Sequence, residues 1–123
     1  MAKSYAELIS DTKGQVRVVS LEDVKRRLDA KEPLTLVDVR EKDEWNEGHL
    51  EQAILLPLSA LQKGTDPKSV NAELDGKKIV YCHCRAGRRA LTAAELLKKQ
   101  GFDVRPLKQG YEELLEGGLK KAN

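Results

Sequence analysis

The chain is poor in net charge, in long apolar runs and in thiols. Its 22 basic and 20 acidic residues leave a formal net charge of +2, which argues against a general nucleic-acid or membrane-surface binder. No apolar stretch approaches the roughly 20 residues of a membrane helix. The opening Met1-Ala2-Lys3-Ser4-Tyr5-Ala6-Glu7 lacks the apolar core of a secretory signal. A soluble, cytoplasmic protein is therefore expected. No repeat, low-complexity tract or linker interrupts the 123 residues. That length suits one domain able to bury roughly two-thirds of its unfolded surface.

Cysteine is confined to Cys82 and Cys84. On a strand, positions i and i+2 stand roughly 6.6 Å apart, near the upper limit for a disulfide. A bridge between them needs distortion. A zinc site needs four ligands, and Cys82, His83, Cys84 and distant His49 lack the usual spacing. No metal is expected.

What the chain does have is alternation of apolar strands and amphipathic helices. Tyr5, Leu8 and Ile9 suggest a short helix over residues 4–11, closed by Gly14, and Val16 to Val19 reads as a strand. Ser20 is the expected N-cap of a helix that buries Leu21, Val24 and Leu28, with Asp23 in its acidic first turn. Leu34 to Val39, Ala53 to Pro57, Lys78 to His83 and Phe102 to Leu107 supply four more strands. Glu41 to Glu47 forms a short helix whose Trp45 should pack in the core. His49, just beyond it, fits a hydrogen-bonded structural group better than a general base. Residues 59–74 are polar and broken by Gly64 and Pro67. Arg88 to Gln100 is the strongest helix, with Leu91, Ala94 and Leu97 in phase and Gly101 as its cap; Gly110 to Lys121 is the last. The pattern predicts an α/β fold, a mainly parallel five-stranded sheet with helices on both faces.

The chemistry concentrates in Tyr81-Cys82-His83-Cys84-Arg85-Ala86-Gly87-Arg88-Arg89-Ala90. A strand that turns over a few small residues into a helix leaves several backbone N–H groups facing one concavity. Together with the helix dipole they form an anion site. Gly87 provides backbone freedom at the tightest point and Ala86 adds little bulk. A thiolate at Cys84 is one anion such a cradle stabilises. Arg85, Arg88 and Arg89 offer forked donors to an oxyanion. Cations are disfavoured at a helix N-terminus, so three arginines there need a reason. Asp38, late in its strand, is either a cap or turn residue or a carboxyl-edge group pairing with a loop arginine; Arg40 shares these alternatives.

The ordered blocks Val37-Asp38-Val39-Arg40-Glu41, Glu44-Trp45, Glu47-Gly48-His49-Leu50, Ala53-Ile54-Leu55-Leu56-Pro57, Tyr81 to Ala90, Gly101-Phe102-Asp103-Val104 and Gln109-Gly110-Tyr111 resemble the rhodanese (sulfurtransferase) family over about residues 16–116. The resemblance implies one rhodanese-like domain over residues 1–123, with residues 1–15 as a helical extension. It implies a persulfide on Cys84, substrate held by Arg85, Ala86, Gly87, Arg88 and Arg89, and support from Asp38 and Arg40. Sulfur would pass from an anionic donor such as thiosulfate to cyanide, a thiol or a protein acceptor, with no cofactor. The loop from Cys84 to Arg89 fits the family pattern throughout, whereas Cys82 and the Gln109-Gly110-Tyr111 ending depart from it. Two alternatives stand beside this: a non-catalytic, redox-sensing or sulfur-carrier module, and a cysteine phosphatase. The phosphatase pattern of Cys, five residues, Arg lands on Ala90 when counted from Cys84.

Overall fold

Four strands, Leu34–Asp38 (β1), Ala53–Leu55 (β2), Ile79–His83 (β3) and Val104–Pro106 (β4), pair in parallel in the order β2-β1-β3-β4 in a computed structural model that describes residues 16–123. The helix expected over residues 4–11, with its stop at Gly14, lies outside the described residues. The helices are Leu21–Asp29 (α1), Lys42–Glu47 (α2), Leu58–Gln62 (α3), Pro67–Val70 (α4), Arg88–Lys99 (α5) and Tyr111–Glu116 (α6).

Both faces of the sheet are covered, as the near-continuous apolar strands require. Successive side chains point to opposite faces. Val37, Val80 and Cys82 join Leu61 of α3 and Leu97 of α5 in one buried cluster. Leu36 and Tyr81 join Val24 of α1 and Leu114 of α6 in the other. Cys84 falls on the α5 side.

The sheet has four strands where five were expected. Val16 to Val19 contributes one parallel bridge, Val19 to Leu107, made by Val19 N–H to the Pro106 carbonyl and Lys108 N–H to the Val19 carbonyl. Extending it by the next parallel step would require a donated N–H from Pro106, which has none. Proline thus ends the pairing after one rung.

Two helix expectations also change. Ser20 occupies the N-cap position of α1 without a side-chain cap bond; the Gln109 side-chain oxygen accepts the Leu21 N–H instead, at 3.0 Å. Asp23 in that first turn accepts the Tyr81 hydroxyl at 2.7 Å, tying α1 to β3. Trp45 is half-buried rather than in the core, stacked on the His49 ring at 3.6 Å between centroids. The reason is that α2 buries none of its residues. His49 Nδ1 lies 3.1 Å from the Trp45 carbonyl, the structural contact expected of it.

Candidate active site

The end of β3 and the start of α5 leave only Cys84 to Gly87 to make the turn. Gly87 makes it possible with φ 93° and ψ −28°, a left-handed conformation that strains any residue with a Cβ. This turn directs the Gly87 N–H at Cys84 Sγ, 3.0 Å away. Cys84 is 1% exposed, yet with Arg85, Ala86, Arg88, Arg89 and Thr92 it lines a cavity of about 400 Å³. Cys84 thus borders that cavity although almost none of its surface reaches solvent. Gly87 is buried below and contributes its amide.

The loop is clamped from the opposite side. Tyr111 N–H donates to the Cys84 carbonyl at 2.9 Å. The first residue before α6, Gly110, approaches so closely that a Cβ there would lie 1.7 Å from the Arg85 carbonyl oxygen. The sequence singled out Gln109-Gly110-Tyr111 only as a closing block of the resemblance; its function as a buttress needs the fold.

Asp38 and Arg40 meet below this buttress, at the carboxyl end of β1. Asp38 is fully buried and lies level with His83 of β3. Arg40 Nε sits 3.0 Å from both Asp38 oxygens, and one terminal nitrogen reaches Oδ2 and the Gly48 carbonyl at 2.7 Å each. The guanidinium lies 4.1 Å over the Tyr111 ring, a cation–π contact. Asp38 therefore pairs with Arg40 and not with a loop arginine, and the pair reaches the loop through Tyr111.

The carboxylate that does take a loop arginine is Glu44, to which the sequence assigned no role. Arg89 donates to its two oxygens at 2.6 and 2.9 Å, a fork-to-fork pair. The Arg89 hydrogen bonds hold the Glu44 carboxyl down to about 2, and the Glu41 N–H adds to the effect. Glu41 and Glu44 also close a capping box on α2. Thr92 was missed as well, although helical spacing places it one turn beyond Arg88.

Two neighbours of Cys84 are sealed. His83 is buried with Nδ1 3.4 Å from the Cys84 carbonyl; burial pulls its pKa below the ordinary value and keeps it neutral. Its Nε2 has no hydrogen-bond partner and lies 3.9 Å from Asp38. Cys82 lies wholly in the core, 3.4 Å from the Ala90 carbonyl, and burial pushes its thiol far up. Both cysteines are free. A separate cavity of about 260 Å³, bordered by Leu28, Leu36, Leu50 and Leu119, contains no thiol.

A parallel α/β domain that presents a cysteine at the strand end of an arginine-walled loop defines the class. The chain belongs to the rhodanese-like domain family, whose model matches residues 20–117. Among its relatives, YrkF of Bacillus subtilis, named as a sulfur carrier protein, is 33% identical over 93 residues, covering 76% of this chain and 47% of that one. YtwF of the same organism, named as a sulfurtransferase, is 31% identical over 72% of this chain and 80% of its own. The chain thus spans about half of the first relative and most of the second. Among solved structures, the human single-domain sulfurtransferase TSTD1 superposes with a TM-score of 0.69 at 25% identity, covering 82% of this chain and 96% of that one. A rhodanese-like domain from Anabaena gives 0.70 at 26% identity, covering 86% and 78%. Among the described residues no helix is long and apolar enough to cross a membrane.

Proposed function

We propose that this domain transfers sulfane sulfur from thiosulfate, or a donor like it, to a thiol, cyanide or protein acceptor through a persulfide on Cys84. The supporting observation is the Gly87 N–H donated to Cys84 Sγ at the border of the arginine-walled cavity. Relatives named as sulfurtransferase and sulfur carrier point to the same chemistry.

In the first step the Cys84 thiolate attacks the outer sulfur of thiosulfate. The Cys84 S–S bond forms, the donor's S–S bond breaks, and sulfite leaves with the electron pair. In the second step the acceptor attacks the terminal persulfide sulfur and Cys84 returns as thiolate; with cyanide the product is thiocyanate. Charge on the leaving sulfite is met chiefly by Arg85 and Arg88, whose guanidiniums are not held by a carboxylate among the described residues, and the persulfide by loop amides. The buried, neutral His83 takes no proton in this scheme. The anion cradle needs no cofactor.

Two features weigh against the alternatives. The cysteine-to-arginine interval is one residue short for a phosphatase, and Arg89 already gives its fork to Glu44. Cys82, sealed in the core, is a poor resolving thiol for a redox sensor.

Thiosulfate:cyanide turnover tests the proposal. Cys84→Ser is expected to fall to background, whereas Cys82→Ser stays folded and largely active. Intact mass after thiosulfate treatment is expected to rise by about 32 Da, one sulfur, on the peptide holding residue 84. Equal loss in both single variants, or an increment located elsewhere, rejects Cys84 as the carrier. Phosphate release from an aryl phosphate without thiocyanate formation moves the assignment to a phosphatase.

A further inference from the structure

We infer that Glu44 sets donor specificity at the Cys84 cavity: by occupying the Arg89 fork it removes one positive charge from the anion site and lowers its preference for dianionic over monoanionic sulfur donors. The inference rests on the sulfur-transfer reading above and names the class of donor that the site discriminates.

Three arginines line the cavity, but they are not equivalent. Arg85 and Arg88 are exposed and make no ion pair among the described residues. Arg89 is partly buried, with 32% of its side chain exposed, and both terminal nitrogens are engaged by Glu44 at 2.6 and 2.9 Å. It nonetheless lies close enough to interact electrostatically with a charge on Cys84. Glu44 is itself anchored by the Glu41 N–H at 3.0 Å. Glu41 in turn accepts the Ser59 hydroxyl at 2.5 Å, so α2 and the start of α3 hold the carboxylate in place. Glu44 also lines a neighbouring cavity of about 180 Å³ that shares Arg85 with the first. The carboxylate is thus bonded to the one cavity arginine that is ion-paired among the described residues, and it borders a second cavity that Arg85 also lines.

The formal charge of the four side chains is +2 with Glu44 ionised and +3 without it. Thiosulfate carries two negative charges and an alkyl thiosulfonate one. A negative charge beside the site therefore penalises thiosulfate more, while both donors deliver the same outer sulfur to Cys84. With Arg89 holding the carboxyl near 2, the charge is present at neutral pH.

The test compares kcat/KM for thiosulfate and for methanethiosulfonate, with cyanide as acceptor. Glu44→Gln removes the charge and keeps one acceptor oxygen for the Glu41 N–H and one Arg89 nitrogen, while its amide nitrogen replaces the acceptor of the other. It is expected to raise the thiosulfate-to-methanethiosulfonate ratio about fivefold, the scale of one added charge several ångströms away in a half-solvated site. Glu44→Asp, which keeps the charge, is expected to leave the ratio near that of the parent. A structural role alone would move both donors together. Thiosulfate binding by calorimetry in a Cys84→Ser background supplies a reading independent of turnover, and there Glu44→Gln is expected to tighten binding. An unchanged or lower ratio, or weaker binding in that background, overturns the inference. Absence of turnover by the parent protein with either donor instead overturns the sulfur-transfer reading itself.

Discussion

A methyl group at Gly110 would lie 1.7 Å from the Arg85 carbonyl oxygen and 3.0 Å from the Ala86 nitrogen. Backbone, unlike a flexible side-chain end, has little room to yield, so Gly110→Ala must displace either the loop or α6. The expected outcome is a loss of about 2–4 kcal/mol in urea unfolding, together with more than a tenfold fall in thiosulfate:cyanide turnover. Gly76→Ala is the control, because a Cβ there meets only the end of Lys68 at 3.4 Å and the Phe102 ring at 3.9 Å. Loss of stability with full activity in Gly110→Ala would uncouple the buttress from the site. At this scale the sequence brought Cys84, the loop arginines and the bend at Gly87 to one turn, as the structure also does, because their placement is local. Gly110 and Glu44 stood in the blocks of the resemblance but drew no role from it, because what they do comes from what lies across the fold.

Among elements, the carboxyl ends of β1 and β3 bring Asp38, Arg40 and His83 into one buried layer against Tyr111. Asp38→Asn would leave the Arg40 guanidinium buried without its counter-charge. A cost of about 3–5 kcal/mol is expected, read as a lower urea midpoint at unchanged slope. A change below about 1 kcal/mol would show that water or Gly48 suffices for Arg40. Apolar periodicity revealed β1, β3 and α5 because each buries a face that only its own spacing can supply. Trp45 defeated the same reasoning: a large aromatic was assigned to the core, but α2 packs by its capping box and the ring finds its cover on His49. The Asp38 partner was equally out of reach: its sequence position suggests one of the three loop arginines, whereas the turn after β1 selects Arg40. The fifth strand failed through one missing amide, at Pro106.

For the molecule as a whole, stability is expected to decline on the acid side in two stages. His83 is buried neutral with a lowered pKa, so below about pH 6.5 the unfolded chain binds a proton that the native state refuses. Native stability falls as pH drops through that region. Glu44, lowered from 4.5 to about 2 chiefly by Arg89, contributes fully above about pH 4.5 and progressively less towards pH 2. Asp23, lowered mainly by the Tyr81 hydroxyl, acts in the same direction from 3.8 downward. Melting temperature between pH 7.5 and 3 is the measurement. Replacement of His83 by Gln is expected to flatten the first stage and spare the second; an unaltered slope between pH 6.5 and 5 would remove His83 as its source.

The clamp of Gly110 and Tyr111 on the loop also imposes an order in time. Translation delivers Cys84 well before the residues that grip its carbonyl. A chain that has emerged only to the end of β4 lacks the Tyr111 N–H that holds the Cys84 carbonyl. Bracing of the turn is therefore a property of the chain that includes α6, gained only when that helix docks.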